Sequence, residues 1–154
     1  MPPPPPFILR LLGSDDVELM EEMLTVFGEA FDEAGTFNDA RPSPAYLARL
    51  LGSGRFFALA ALKDGAVVGG LAAYELQKFE QKRSEIYIYD LAVAEPHRRE
   101  GIATALIQEL RKIGAERGCY VIFVQADLED EPAIALYTKL GVREDVLHFD
   151  ITTS

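Results

Sequence analysis

The segment Leu91-Ala92-Val93-Ala94-Glu95-Pro96-His97-Arg98-Arg99-Glu100-Gly101-Ile102-Ala103-Thr104 joins a run of β-formers to a helical pattern through a basic, glycine-containing turn. At the start of a helix several backbone N–H groups lack intrahelical partners and the dipole is positive, so such a turn suits a phosphate or pyrophosphate. Gly101 and Ala103 allow close approach to the backbone, and Arg98 and Arg99 add positive charge. A solvated helix start with two chance arginines would read the same way, and the turn alone does not separate the two. The glycine patterns of a P-loop and of a Rossmann dinucleotide site are both absent, which argues against nucleotide hydrolysis and hydride transfer. Two strand-like segments carry further titratable groups. Alternation over 146–151 sets His148 and Asp150 on one face against Leu147, Phe149 and Ile151 on the other, and Glu85, Tyr87 and Tyr89 share a face of the segment 84–93. His97 reads as a solvated loop residue.

These residues need a frame, and the hydrophobic periodicity supplies one. Phe7 to Leu12 reads as a strand, and Ser14 or Asp15 can cap a helix running to about Phe31, with Val17, Met20, Met23 or Leu24, and Phe27 at helical spacing. A loop over 32–44 leads to a short helix from Ala45 to Leu51. Phe56 to Leu62 and Val67 to Leu76 flank Asp64-Gly65, a tight-turn pair, and predict a hairpin. Residues 84–93 give the next strand and 101–117 a helix that Gly118 closes. The apolar run from Tyr120 to Ala126 predicts a strand covered on both faces. Pro132 opens a helix over 133–140 that Gly141 ends, and Val146 to Ile151 is the last strand. The order β-α-α-β-β-β-α-β-α-β calls for an α/β fold with a mixed sheet and helices on both faces.

With 154 residues, 49% of them hydrophobic, the chain can bury a core without disulfides or a structural metal. Residues 1–6 form a proline-rich tail expected to be extended, and 7–154 a single domain. One cysteine, Cys119, fits a reducing compartment and reads as a buried hydrophobe. The start lacks the pattern of a secretory signal and no apolar run approaches a membrane span, so a cytoplasmic location is the expectation. A formal net charge of −10 argues against a nucleic-acid partner and leaves a cationic one open. That charge is unevenly placed. Residues 95–118 hold five basic against four acidic side chains, while 125–154 hold two against seven, with Asp127, Glu129, Asp130 and Glu131 close together. A solvated loop capping the next helix would also place acids there.

Arg98-Arg99-Glu100-Gly101-Ile102-Ala103 resembles the Arg/Gln-x-x-Gly-x-Gly/Ala motif with which the GNAT superfamily of N-acetyltransferases holds the pyrophosphate of acetyl-coenzyme A. The strand before it, and Pro132-Ala133-Ile134-Ala135-Leu136-Tyr137-Thr138-Lys139-Leu140-Gly141, are similar to other segments of that superfamily. Within it the chain resembles the aminoglycoside 3-N-acetyltransferases of the gentamicin type, through Lys78-Phe79-Glu80-Gln81, the segments 83–93, 120–122 and 124–127, and His148-Phe149-Asp150-Ile151. It departs from them in the proline tail and in Leu128-Glu129-Asp130-Glu131, where an aromatic, a glycine and aspartates are expected.

The resemblance implies the GNAT fold, with its fourth and fifth strands splayed. It also implies direct attack of an amine on the thioester in a ternary complex, with no enzyme nucleophile and no metal. Leu91, Ala92, Val93, Arg98, Arg99, Glu100, Gly101, Ile102, Ala103, Thr104, Ala133 and Tyr137 would then hold the coenzyme, and Tyr137 would protonate the leaving thiolate. Asp150, with Glu85 or His148 as alternatives, would accept the amine proton. Glu85, Tyr87, Asp127, Glu129, Asp130, His148 and Asp150 would bind the cationic aminoglycoside. A homodimer is implied by family alone. Competing expectations are acetylation of another amine, such as a polyamine or a protein N-terminus, and a non-catalytic acetyl-coenzyme A-binding module.

Overall fold

A meander of antiparallel strands builds most of the sheet in this computed structural model, which describes residues 6–33 and 35–154. Residues 1–5 of the proline tail lie outside the described residues. Strands β1 (Ile8–Leu11), β2 (Phe56–Lys63), β3 (Ala66–Gln77) and β4 (Ser84–Val93) lie side by side, each antiparallel to the last, and β5 (Cys119–Val124) joins β4 in parallel. The result is the expected mixed sheet. The β2–β3 turn passes through Asp64 at φ 52° and Gly65 at φ 83°, the conformation for which an Asp-Gly pair is suited.

Helices α1 (Val17–Ala30) and α2 (Pro44–Leu51) cover one face, and α3 (Ile102–Glu116) and α4 (Glu131–Leu140) lie on the other. Met23, Phe27 and Leu47 meet Ala58, Ala60 and Ala72 in the first core; Leu106 and Leu110 meet Leu59, Leu71 and Ile86 in the second. Gly69 lets the start of α3 come close, since a Cβ there would lie 3.1 Å from Ile102 Cγ2 and 3.2 Å from the Ala92 carbonyl. Neither Ser14 nor Asp15 caps α1. Asp16 takes the cap position, and its carboxylate turns back to the Gly13 N–H and the Arg10 guanidinium, both at 2.8 Å. The segment expected to be loop contains one π-helical turn, Gly35–Asp39, with Phe37 edge-on to Phe27 at 6.1 Å.

Glu75 anchors a polar cluster that the hydrophobic pattern does not reveal. It accepts from Ser84 Oγ at 2.6 Å and from Arg117 Nε at 2.8 Å, while Arg117 Nη2 donates to the Gly54 carbonyl. β3, β4 and the end of α3 are tied together there.

The last expected strand does not form within this chain. Residues 142–154 make no ladder and no backbone hydrogen bond to the described sheet. β5 is therefore an edge, and Tyr120 and Val121 are exposed rather than covered. Cys119 is only half-buried, its Sγ 3.2 Å from Ser84 Oγ.

Candidate active site

β4 ends in a short 3-10 turn, Glu95–His97, and the chain then reverses through Arg99 at φ 66° and Gly101 at φ 83° into α3. Ala105 N–H is the first to bond within the helix, to the Gly101 carbonyl at 3.0 Å, and no side chain caps the helix start. The N–H groups of Ile102, Ala103 and Thr104 thus face the space before α3 without intrahelical partners. Nothing lies within 4 Å of where a Cβ on Gly101 would stand. An anion can be held here by backbone donors and the helix dipole. Ile102, buried in the second core, fixes the turn in place. One of the two arginines has a structural task. Arg98 Nε donates to the Val93 carbonyl at 3.0 Å and pins the turn to the end of β4. Glu100 faces Lys63 at 3.0 Å and His97 at 3.5 Å, so His97 is a contact of the turn rather than a free loop residue.

β5 pairs with β4 only from Ser84 to Ile88, leaving 89–93, including Leu91, Ala92 and Val93, without a neighbour on that side. The two strands part here, as the resemblance implies. A bulge marks the point: Ala72 pairs with Asp90 and Ala73 with Ile88, so Tyr89 is the extra residue. The bulge puts Tyr89 and Asp90 on the same face, where strict alternation would have sent Asp90 to the opposite one. Asp90 and Tyr89 line a cavity of about 220 Å³ between α1, α2 and the sheet, together with Phe27, Tyr46, Phe56 and Tyr74. Burial, helped by the negative charge of Glu33, pushes the Asp90 carboxyl up to about 6. Sequence reading missed this residue. Its signal is a carboxylate set between β-formers on either side in the second half of a strand.

Tyr137, on α4, approaches from the other face and packs on the second core. Burial first, then the charges of Asp130 and Asp90, raise its phenol to about 12. The charge of Asp90 is felt at Tyr137 from the opposite face of the sheet. A neutral phenol and a carboxylate that titrates near 6 are fit to donate and to accept a proton.

The other expected site residues divide into three groups. Tyr87 stacks on Phe123 with centroids 4.6 Å apart, and its hydroxyl donates to Gln125. Tyr87, Tyr89, Tyr74 and Phe56 continue as a ladder of ring contacts across the face that carries α1 and α2. Glu85 lies at the far end of β4, accepting from Tyr120 at 3.0 Å with Lys78 at 3.7 Å, and is not brought to Tyr137. Asp130 caps α4, accepting from Ala133 N–H at 3.2 Å, so that N–H is not free for a coenzyme; Asp127 and Glu129 are exposed on the loop before it. His148 and Asp150 pair with each other at 2.9 Å on the unpaired C-terminal segment, outside the cleft of their own chain.

The sequence profile of the acetyltransferase (GNAT) family matches residues 18–142, which takes in α1 from its second residue, every later helix and the whole turn before α3. The chain belongs to that family. An aminoglycoside acetyltransferase from an uncultured soil metagenomic sample is 65% identical, with a TM-score of 0.94 over 96% of this chain and 99% of that one. A second soil metagenomic aminoglycoside acetyltransferase, solved with sisomicin, is 29% identical with a TM-score of 0.90 over 97% of each chain. An N-alpha-acetyltransferase of Arabidopsis thaliana shares 38% identity over 55 residues. The matched segments span 29–37% of the length of the curated relatives. Members of the GNAT family take their acetyl group from acetyl-coenzyme A, and the open donors before α3 and the splay beside Leu91–Val93 fit its diphosphate and its extended arm. No helix among the described residues is long and apolar enough to cross a membrane.

Proposed function

We propose that this acetyltransferase acts on an aminoglycoside, at the 3-amino group of its deoxystreptamine ring, and so confers resistance. The observation that carries this reading is the 65% identity, over nearly the full length of both chains, to an aminoglycoside acetyltransferase. The cleft supports it. Asp90 lines the cavity with Glu33 adding negative charge to it, and the exposed rings of Tyr74 and Tyr89 offer faces to a polycationic sugar.

The backbone from Ile102 to Thr104 binds the diphosphate of acetyl-coenzyme A, and the free side of Leu91 to Val93 orients its arm; the coenzyme supplies an activated acetyl thioester. Asp90 draws the reacting ammonium group into the cleft and accepts its proton on a carboxylate oxygen. It is better placed for this than Asp150 or Glu85, which one chain does not bring to the splay. The Tyr137 hydroxyl supplies a proton at the leaving sulfur. Glu85 and Tyr87 extend the substrate face beyond the reacting centre.

The test is thiol release from acetyl-coenzyme A with gentamicin, sisomicin, kanamycin, spermine and a peptide bearing a free N-terminus, with the acetyl group located by NMR. Acetylation at the 3-amino position is expected. Turnover on the peptide alone would favour protein N-terminal acetylation, toward which the Arabidopsis relative and a ribosomal-protein-alanine N-acetyltransferase, 25% identical with a TM-score of 0.74, point.

A further inference from the structure

We propose that the cavity beneath α1 and α2 gives this acetyltransferase a second class of acceptor, primary amines with an aryl-alkyl tail, whose ring lies among the apolar side chains while the ammonium group meets Asp90. The inference goes beyond aminoglycoside acetylation and rests on the proposed function only in taking Asp90 as the base.

The cavity has two kinds of wall. Met20 and Phe27 of α1, Leu47 of α2 and Phe56 of β2 are buried and form its inner part, with half-buried Leu50 beside them. Tyr46, Tyr74 and Tyr89 are exposed and stand at its rim. Asp90 is the one charged side chain among the described residues that line it, and no hydrogen-bond or ion-pair partner for it lies among the described residues. Burial and Glu33 both oppose its ionisation, and no cation of the chain offsets them. A carboxylate in this state favours a cation brought from solution.

The walls decide what can follow that cation inward. Almost every carbon of an aminocyclitol ring carries nitrogen or oxygen, and its hydroxyls would lose water against Met20, Phe27 and Leu50, where the wall offers hydrocarbon in exchange. A sugar therefore stops at the tyrosine rim, with an amine at Asp90 and its rings outside. A hydrocarbon tail has the opposite preference and continues into the cavity.

Size and ring geometry select an aryl tail. An apolar cavity of about 150 Å³ is enough to hold benzene, and about 220 Å³ is open here. The remainder takes a two-carbon link to the ammonium group. Phe27 and Phe37 already meet edge-on at 6.1 Å, and Phe56 and Tyr74 are tilted at 5.1 Å, so a further ring extends a set of contacts whose geometry aromatic groups prefer. Tyr74 and Tyr89, edge-on at 5.9 Å, flank the place of the ammonium group.

The chemistry is unchanged. The ammonium group gives one proton to Asp90, and its nitrogen bonds to the acetyl carbon as the carbon–sulfur bond breaks. The second proton leaving nitrogen balances the one taken up at sulfur, and the proton on Asp90 returns to water. The products are the N-acetyl amine and coenzyme A thiol.

Thiol release with 2-phenylethylamine, ethylamine and kanamycin in parallel tests this, the N-acetyl product being identified by mass spectrometry. A single methylene in a fitting apolar pocket is worth about 10–200-fold, so kcat/KM for 2-phenylethylamine is expected to exceed that for ethylamine by about a hundredfold or more. Calorimetry with coenzyme A present gives a readout free of turnover, in which 2-phenylethylamine binds and ethylamine at the same concentration gives no heat. Leu50→Trp fills the cavity from its half-buried side and should cut the ratio of the two amines about tenfold or more, with the fold checked by circular dichroism. Leu50→Ala enlarges the cavity and should move the preference toward 4-phenylbutylamine, which keeps the test decisive if the tryptophan variant does not fold. Equal kcat/KM for 2-phenylethylamine and ethylamine, or a preference that neither Leu50 variant alters, would overturn the proposal. Turnover of kanamycin with none of 2-phenylethylamine would overturn it too and leave the aminoglycoside reading standing; turnover of 2-phenylethylamine with none of kanamycin would do the reverse.

Discussion

Asp90 has the most to do at the residue scale, and its environment gives opposite signs to activity and stability. A base must be ionised, so kcat/KM is expected to fall as pH drops through about 6. Asp90→Asn should remove that limb from the pH profile and lower kcat by about 10²–10⁴-fold. Burial raises the folded-state pKa above its unfolded value, so the folded chain loses stability as pH rises from the ordinary aspartate range through 6. Asp90→Asn should therefore be more stable than the parent at pH 7.5, by about 1 kcal/mol once solvent screening is allowed for, with the gap closing near pH 3. Thermal melts at the two pH values measure it. Tyr137→Phe keeps the packing of the ring and removes the donor. Its kcat is expected to fall about tenfold or more while the coenzyme dissociation constant, by calorimetry, stays within about twofold. An unchanged kcat would leave Tyr137 as a packing residue.

At the scale of elements, the turn into α3 was legible because its chemistry is local: a strand, two arginines, a glycine and a helix start occupy a dozen consecutive residues. Gly101→Val puts a β-branched residue at φ 83° and fills the space before the helix. The coenzyme KM is expected to rise about tenfold or more, with a stability loss of about 1–2 kcal/mol read from urea unfolding. A coenzyme KM within about twofold of the parent would argue against this turn as the anion site. The bulges at Tyr89 and Tyr120 were not legible. A period-2 pattern carries no mark of an inserted residue, and only the registers of β4 against β3 and of β5 against β4 expose them. The failed caps at Ser14 and Asp15 have a similar cause, since Asp16 sits where both the Gly13 N–H and Arg10 can reach it.

Across the whole molecule, Glu75, Ser84, Arg117 and Gly54 come from four separate stretches of chain and meet at one cluster, with Glu75 and Ser84 buried and Arg117 reaching in from the surface. Glu75→Ala removes the Ser84 and Arg117 hydrogen bonds, but Arg117 is 39% exposed and can rehydrate, so the change should cost about 1–2 kcal/mol in urea unfolding. A loss below about 1 kcal/mol would mean that water replaces the carboxylate at little cost. Burial opposes ionisation of Glu75, but the Ser84 and Arg117 hydrogen bonds outweigh it and hold its pKa below the usual glutamate value. That contribution is present above about pH 4.5 and is lost as pH falls through the lowered pKa. Melting temperature should decline there, opposing the small gain from protonating Asp90.

The sequence by itself determined the mixed sheet, the order of helices and strands up to α4, the glycine turn into α3 and the family. Those follow from periodicity and from contiguous motifs, which depend on neighbours along the chain. Tertiary structure alone decided that Arg98 holds a carbonyl, that Asp130 caps a helix, and that Asp90 lines a cavity under α1 and α2 while Tyr137 packs on the opposite face of the sheet. It also decided that the last strand finds no place in its own sheet. A pattern of alternating side chains states that a segment will be a strand, but backbone hydrogen bonding is indifferent to which chain supplies the partner, and only the arrangement of edges in space makes that choice.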